Sequence, residues 1–357
     1  MLVDFDYFFA QCEEKRNPSL KDQPIVVCVY SGRTEDSGAV STANYVARKY
    51  GVKSGMSIFL AKRKLAEVNA VFLPVDRSFY EETSNNIMSI LRHYADSFEQ
   101  VGIDEAYLDV TEKANGSFKE AQRLAQRIMD EVKSREKITV SIGVGPNKLV
   151  AKIAADFKKP NGLTVVEPQQ TESFLAPLPI DRLFGVGKKT SEKMETLGIK
   201  TIGDLSRFDV QKLIANFGKT LGTYFHYAAL GLDDSPVSEK GMAQSVSRIS
   251  TLREDTRDVA VIMNKIETLC EDIYINLSQM GIEFKTVSAV AVLKDMSVHS
   301  RSRTFENPVP NLELLTNTVK ELFHRLIGET NLEIRRAGVK VSGFSEKHEK
   351  QRRLTDF

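Results

Sequence analysis

The chain has 357 residues, 41% of them hydrophobic and 27% charged, with a formal net charge of +1. This length corresponds to about two or three domains, and the composition excludes a disordered or fibrous chain. No apolar run approaches the roughly 20 residues of a membrane span, and the N-terminus enters a strand directly, leaving no room for a signal peptide. A cytoplasmic protein with no membrane partner is therefore expected. Three cysteines (Cys12, Cys28, Cys270) lack CxxC spacing and five histidines form no ligand pattern, which points to a reducing compartment and away from structural zinc. With the total charge near zero, any nucleic-acid face must come from uneven placement of charge.

Met1-Leu-Val-Asp-Phe-Asp-Tyr-Phe-Phe9 reads as a strand interrupted by carboxylates, and Ala10 to Lys15 as a short helix. After the loop at Asn17–Lys21, Pro24 to Tyr30 is a buried-strand run, Ser31 to Val40 a Ser/Gly-rich loop, and Ser41 to Tyr50 a helix. On that helix Thr42, Tyr45 and Arg48 are spaced by three and share a face, and a hydroxyl, a phenol and a guanidinium together suit a triphosphate. The plainer alternative is a solvated face with one half-buried tyrosine. Residues 77–96 form an amphipathic helix leading into a second acidic stretch, Val101-Gly-Ile-Asp-Glu-Ala-Tyr-Leu-Asp-Val110, with Asp104 and Glu105 at a tight turn. Ser117 to Glu136 is another long helix, followed by a strand over 138–143. Strand, helix, two strands, helix, strand is the split βαβ plan of a ferredoxin-like sheet, with about residues 18–76 inserted as a small lobe. Gly145-Pro-Asn-Lys148 opens a further helix that Pro160-Asn-Gly162 stops; Lys159 at its end can reach a phosphate or simply favour the helix dipole.

If the two acidic strands are neighbours, Asp4, Asp104 and Glu105 meet at one edge of a sheet. Three carboxylates that close repel one another unless cations neutralise them. Mg²⁺ suits such a set of oxygen ligands completed by substrate phosphates, and two ions together can clamp the attacking and leaving oxygens of a phosphoryl transfer. Either stretch alone is equally well a pair of surface acids at a strand end; the two together are harder to explain without a cation.

Residues 167–233 change to short helices joined by glycine turns. Leu183-Phe-Gly185-Val-Gly187-Lys188-Lys189 ahead of a helix resembles a helix-hairpin-helix, whose backbone N–H groups bind a DNA phosphate without reading sequence, and Phe217 to Gly222 is a possible second copy. Residues 234–243 read as a linker. Beyond it the order strand 244–253, helix 256–279, strand 283–293, strand 298–306, helix 311–328, strand 332–343 is a second βαββαβ unit. Its strands carry a basic excess (Arg248, Arg253, Lys285, Lys294, Arg301, Arg303, Arg335, Arg336, Lys340) and its helices an acidic one, an arrangement that lets a near-neutral domain offer a basic sheet to a phosphate backbone. An ordinary mixed surface is the alternative.

These motifs resemble those of the Y-family (DinB) translesion DNA polymerases, most closely the archaeal members. The matching stretches are Asp4-Phe-Asp-Tyr-Phe-Phe9, Ser37-Gly-Ala-Val-Ser-Thr-Ala-Asn-Tyr-Val-Ala-Arg48, Ile103-Asp-Glu-Ala-Tyr-Leu-Asp109 and Lys152-Ile-Ala-Ala-Asp-Phe-Lys-Lys-Pro-Asn-Gly162, and the similarity runs through essentially the whole chain. It implies an α+β right-hand polymerase: a ferredoxin-like palm (1–17 and 77–166), small fingers (18–76), a helical helix-hairpin-helix thumb (167–233), the linker (234–243), a βαββαβ little finger (244–343) and a tail (344–357). Carried over by position, Asp4, Asp104, Glu105 and the Phe5 carbonyl hold two Mg²⁺, and Asp4, Asp104 and Glu105 are the catalytic acids. Thr42, Tyr45, Arg48 and Lys159 hold the incoming triphosphate together with backbone N–H groups at Tyr7 and Phe8. Phe9 matches the steric gate that excludes a 2′-hydroxyl. Val29, Ala39, Ser41 and Gly55 line the roof over the nascent base pair, small enough for a damaged template base. Gly185, Gly187, Lys188, Lys189, Arg248, Arg301, Arg303, Arg335, Arg336 and Lys340 are the expected DNA contacts. Gly102-Ile103 stands where the family commonly has Ser-Ile or Ser-Val, a departure beside the metal ligands that leaves them unchanged.

In the tail, Gln351, Leu354 and Phe357 match a sliding-clamp-binding peptide that stops short of its second aromatic. The resemblance thus implies low-fidelity DNA synthesis by a monomer on primer–template DNA and deoxynucleoside triphosphates, clamp-assisted; no segment reads as a proofreading nuclease. Two other classes compete. A nucleotidyl cyclase also sets paired acids on a ferredoxin-like sheet but leaves 167–357 without a role, and a non-catalytic DNA scaffold has no use for the three acids together.

Overall fold

The computed structural model describes residues 1–239, 241 and 243–346. Two compact units are present, one made of Met1–Val29 with Ala39–Lys240, the other of Tyr30–Gly38 with the chain from Gly241 onward.

In chain order the first unit begins β1 (Leu2–Phe5) and α1 (Phe8–Arg16), then β2 (Ile25–Tyr30), β3 (Gly38–Ala43), α2 (Tyr45–Arg48), α3 (Ile58–Lys64) and β4 (Val71–Pro74). It continues through α4 (Arg77–Tyr94), β5 (Ser97–Gln100), β6 (Glu105–Asp109), α5 (Phe118–Glu136), β7 (Val140–Val144), α6 (Lys148–Phe157) and β8 (Leu163–Val165). Five strands form a sheet in the order β5-β6-β1-β7-β8. Its first four are the ferredoxin-like arrangement, in which the crossover from β1 leaves room for β6 to insert beside it. The long helices start where a short polar side chain can accept a first-turn N–H: Asp76 for α4, Ser117 for α5 and Asn147 for α6.

Alternation along β1 assigns the two faces of this sheet. Val3 and Phe5 point into a core shared with Ile87, Leu91, Ala125 and Ile128 of α4 and α5. Leu2 points the other way, into a smaller cluster with Tyr107, Ala151 and Ala155, so α6 covers that face. The approach of α6 is very close: a Cβ on Gly143 would lie 2.0 Å from the Ala151 carbonyl oxygen and 2.3 Å from the Ala155 nitrogen.

The inserted lobe has its own three-stranded sheet, β3-β2-β4, with a small core of Val26, Cys28, Val40, Ala47, Ile58 and Ala61. Here the structure corrects the helix expected over Ser41–Tyr50. Ser41–Ala43 belong to β3, and only Tyr45–Arg48 are helical. The reason is Asn44, which is almost fully buried. Its side-chain oxygen accepts from Ile25 N (3.1 Å) and Ala47 N (3.0 Å), so the chain stays extended up to it and turns helical only after it. Thr42 is consequently a strand residue and does not share a helix face with Tyr45 and Arg48.

Beyond β8, five short helices follow: α7 (Thr171–Leu175), α8 (Lys188–Thr196), α9 (Ile202–Ser206), α10 (Val210–Phe217) and α11 (Lys219–Ala229). They share a core with Leu149, Val150 and Ile153 of α6.

The second unit consists of β9 (Ser245–Thr256), α12 (Val259–Gln279), β10 (Ile282–Leu293), β11 (Val298–Thr304), α13 (Leu312–Gly328) and β12 (Ile334–Glu346). Its chain order repeats that of the first sheet, but its strand order, β11-β10-β12-β9, does not. Here the last strand, rather than the second strand of the hairpin, fills the gap left by the first crossover. Both helices cover one face, burying Val287, Ala289, Ala291, Val339 and Val341 beneath Ile266, Ile273, Val319 and Phe323. Residues 30–38 group with this unit through Arg33, whose guanidinium lies 2.6 Å from Asp255. Among the described residues no helix is long and apolar enough to cross a membrane.

Because backbone rather than a flexible side chain faces Gly143, Gly143→Ala is expected to cost about 3 kcal/mol, the upper end of overpacking penalties. Urea unfolding measures it, and a loss under about 1 kcal/mol would mean that α6 can move off the sheet at little cost.

Candidate active site and nucleic-acid interface

The register of β1 against β6 sets Asp4 directly opposite Glu105, and Phe5 N donates to the Asp104 carbonyl at 2.8 Å. The three acids therefore gather at one end of two adjacent central strands. Asp4 has the parity of Leu2 and Glu105 that of Tyr107, so both lie on the face covered by α6. That helix brings cations to them. Lys152 forms an ion pair with Glu105, and Lys159, just past the helix, lies 2.7 Å from Asp4 and 2.7 Å from Asp156.

The electrostatics show what the crowding costs. Burial pushes the Asp4 carboxyl up to about 6, with Lys159 pulling against that rise. Asp104 is raised by burial and then by the neighbouring charge of Glu105. Burial alone would depress Lys159, but Asp4 and Asp156 outweigh it and keep the ammonium protonated. The donor set of carboxylates and a backbone carbonyl is all oxygen and fits a hard divalent cation. The Asp4 and Glu105 carboxylates are turned toward the lysines, and among the described residues no three or more His, Cys, Asp or Glu side chains converge on one point. A cation would thus take over the neutralising role that Lys152 and Lys159 fill here.

Around the acids stand the residues expected at a nucleotide. Tyr7 has φ 34° and ends the strand in a left-handed turn from which α1 starts. The first amides of a helix have no intrahelical acceptor, so this one leaves those of Phe8 and Phe9 to face outward, while Ala10 N and Gln11 N already donate to the Tyr7 carbonyl. The Tyr7 ring meets the Tyr45 ring edge-on at 5.2 Å, and the Arg48 guanidinium lies 4.8 Å over Tyr45 while its Nε donates to the Ala43 carbonyl (2.8 Å). Burial raises the Tyr45 phenol, with the charge of Asp6 adding to it. Thr42 arrives from the end of β3. Phe9 stacks on Tyr80 with centroids 4.5 Å apart and ring planes at 18°. Tyr80 is fully buried, its hydroxyl donating to Glu13 at 2.6 Å, so the Phe9 ring rests on a fixed surface.

Ala39 and Ser41 alternate with Val40, which is in the lobe's core, and so face away from it. Val29 continues the side of β2 that carries Ile25 and Val27 but lies beyond the core, 55% exposed. Gly55 occupies the adjoining turn with φ +82°, its N–H donating to the Val40 carbonyl.

Gly185 has φ +85°, and Tyr224, which donates to the Phe184 carbonyl at 2.8 Å, closes against it. Gly187 is the N-cap of α8, and Lys188 and Lys189 follow it, both exposed. Gly218, at φ +81°, joins α10 to α11 in the same way.

In the second unit the register divides the basic residues between two faces instead of gathering them on one. Arg301 pairs with Ala289 and Arg303 with Val287, both buried beneath the helices, and Arg248 pairs with Val339. These three have the parity of the helix side, and Arg301 and Arg303 form ion pairs with Glu329 and Glu321. Lys340, opposite Ser288, and Arg336, opposite Val292, lie on the other face. Arg335 is 3.5 Å from Asp255. Gln351, Leu354 and Phe357 lie outside the described residues.

Several residues of this site escape a linear reading. Lys152 and Asp156 had a usable signal, the i,i+4 stripe Lys148-Lys152-Asp156 along α6, where Lys148 also pairs with Glu99 (2.6 Å). Tyr80 and Asp6 had none, because their roles come from what they touch across the fold.

Comparison with known proteins defines the class. The description "impB/mucB/samB family" matches residues 3–156, its C-terminal domain matches 243–354, and a thumb domain described from DNA polymerase-iota matches 181–233. The chain is 44% identical to DNA polymerase IV of Nitrosopumilus maritimus (99% of this chain, 98% of the relative) and 43% identical to DNA polymerase IV 1 of Methanosarcina mazei (99% and 98%). Among solved structures, a Y-family polymerase chimera, Dbh-Dpo4(243-245)-Dbh, superimposes with a TM-score of 0.90 at 39% identity, covering 96% of this chain and 98% of that one. An insertion ternary complex of Dbh DNA polymerase gives 0.69 at 38%, covering 96% and 97%. The chain therefore belongs to the impB/mucB/samB family and is a DNA-directed DNA polymerase of the Y-family, the translesion class.

Proposed function

We propose that this chain extends a primer along template DNA from deoxynucleoside triphosphates, through damaged positions and without proofreading, as a cytoplasmic monomer using two Mg²⁺ ions held by Asp4, Asp104, Glu105 and the Phe5 carbonyl. The observation that carries this reading is the Asp4–Glu105 register, with Asp104 adjoining, on the face where α6 delivers Lys152 and Lys159. When bound, the ions neutralise the acids, favour loss of the primer hydroxyl proton and balance charge on the leaving oxygens.

The chain's own groups do the rest. Asp4, Asp104 and Glu105 hold the negative field that draws cations to the primer end. Lys159 and Arg48, with the first-turn amides of α1, fix the triphosphate so that its α-phosphorus faces the attacking oxygen, and this positioning supplies much of the rate. Phe9, braced by Tyr80, stands where a 2′-hydroxyl would collide with it. The small and exposed roof of Val29, Ala39, Ser41 and Gly55 leaves space over the template base. The turns at Gly185–Lys189 hold duplex phosphates through backbone N–H groups. Arg301 and Arg303 can exchange their surface carboxylate partners for phosphate at little cost, since exposed ion pairs are worth about 1 kcal/mol or less. The C-terminal residues Gln351, Leu354 and Phe357 form a clamp-binding peptide.

Asp104→Asn is expected to lower single-turnover primer extension about a hundred- to thousandfold, as for loss of a strong electrostatic group. Extension near the parental rate would remove Asp104 from the site. Phe9→Ala is expected to improve ribonucleotide incorporation at least about tenfold relative to deoxynucleotide, because a built-in clash is what discriminates; unchanged sugar selection would place the gate elsewhere. Removal of residues 350–357 is expected to abolish stimulation by a sliding clamp while leaving basal synthesis intact, and loss of basal synthesis would refute a tethering role.

A further inference from the structure

Asp6 is a buried acid to which the proposed chemistry gives no task. It is 1% exposed, two residues beyond Asp4, and on the same side of the sheet by parity. A further metal ligand is the obvious role for it, but its oxygens are already taken. Oδ1 accepts from the Ser141 hydroxyl at 2.7 Å. Oδ2 accepts from the Thr139 hydroxyl at 3.0 Å and from the backbone N–H of Asn161 at 2.7 Å. The backbone is equally fastened: Gln11 donates to the carbonyls of Asp6 and Thr139 and accepts from Thr139 N at 2.8 Å.

The bond to Asn161 gives this knot its meaning. Asn161 forms the tight turn after α6, with φ 54°, and stands two residues from Lys159. The next amide, Gly162 N, donates to the same Ser141 hydroxyl that serves Asp6, at 3.3 Å, and the Gly162 carbonyl accepts from Ile142 N at 2.8 Å. Gly162 has no room for a side chain, since a Cβ there would lie 2.1 Å from the Lys158 carbonyl oxygen. The turn is thus held from below by the Asp6 carboxylate, and Lys159, at its start, is directed at Asp4 and Asp156.

We propose that Asp6 is a positioning residue: its carboxylate anchors the Asn161 turn, directly and through Ser141, and so aims Lys159 at the triphosphate of the incoming nucleotide. This rests on the assignment of Lys159 as a phosphate ligand. Lysine carries a flexible stem and much rotamer entropy, so an ammonium useful for holding phosphate needs a base that does not wander. A main-chain N–H received by a buried carboxylate is a charge-assisted bond and supplies that rigidity. An alanine at position 6 strands the Ser141 hydroxyl and the Asn161 N–H, while the Thr139 hydroxyl keeps Gln11 as an acceptor. An asparagine with its amide oxygen at the Oδ2 position can still accept from Asn161 N and the Thr139 hydroxyl, while only the Ser141 hydroxyl turns round to accept from the amide N–H, so it restores most of the anchor without the charge.

The test is the equilibrium Kd of the complementary deoxynucleotide on a complex of the full chain with dideoxy-terminated primer–template, where no bond can form. Asp6→Ala is expected to weaken nucleotide binding about tenfold and Asp6→Asn about two- to threefold, while primer–template affinity stays put. In a Lys159→Ala background, Asp6→Ala is expected to add less than about twofold, because the two act as one unit. Ser141→Ala, which cuts the relay to Gly162 but leaves Asp6 in place, is expected to weaken binding about threefold and serves if Asp6→Ala does not fold. An undiminished effect of Asp6→Ala in the Lys159→Ala background, or a normal Kd for both Asp6→Ala and Ser141→Ala, overturns the inference alone. A normal Kd for Lys159→Ala overturns the phosphate assignment first and the inference with it.

Discussion

Negative charge crowded onto one face of a sheet is the constraint from which the rest of this molecule follows. Asp4 and Glu105 oppose each other across two central strands with Asp104 adjoining, and burial pushes Asp4 up to about 6. Such an arrangement persists only if something positive covers it. Here α6 does so, and it can come close because Gly143 has no side chain in its way. The contact that closes the small core of Leu2, Tyr107, Ala151 and Ala155 therefore also sets Lys152 and Lys159 over the acids. Core packing and site electrostatics are one interaction seen from two sides.

Rigidity and openness are distributed around that face in a way that suits a tolerant polymerase. Phe9 lies flat on Tyr80, itself fixed through Glu13, so the surface proposed to face the sugar is backed by a fixed ring. The side proposed for the triphosphate is likewise tied down, through the Tyr7–Tyr45–Arg48 series and through Asn44, whose side chain links β2, α2 and Glu14. The roof is different: Val29, Ala39, Ser41 and Gly55 are small or exposed and face away from their lobe's core. On the proposed assignment, that contrast would pair strict selection of the sugar with lax selection of the base.

The second unit shows how one chain order yields two sheets. In the first sheet the hairpin strand β6 sits beside β1; in the second, β12 separates β9 from β10. This choice fixes which basic residues share a face. It sends Arg301 and Arg303 toward the acids of α13 and leaves Lys340 and Arg336 on the side away from the helices. Basic charge on this unit is therefore spread over both faces of its sheet.

Much of this was legible in the linear order of residues. Short apolar runs in Leu2–Phe5 and Ala106–Leu108, long amphipathic periods over 77–94 and 118–136, and Ser, Asp or Asn at helix starts specify elements through local forces alone, and the acidic pairs stand out because like charges in apolar strands are costly. The helix expected over Ser41–Tyr50 failed because Asn44 is held by Ile25, a partner nineteen positions away whose presence no local pattern announces. The composition of these strands, their acids and their glycines belong to the sequence by itself. Which lysine meets which carboxylate, the ring that backs Phe9, and the three donors that claim Asp6 were decided only in the folded molecule, since each depends on strand register and helix approach, which bring together segments up to about 155 positions apart.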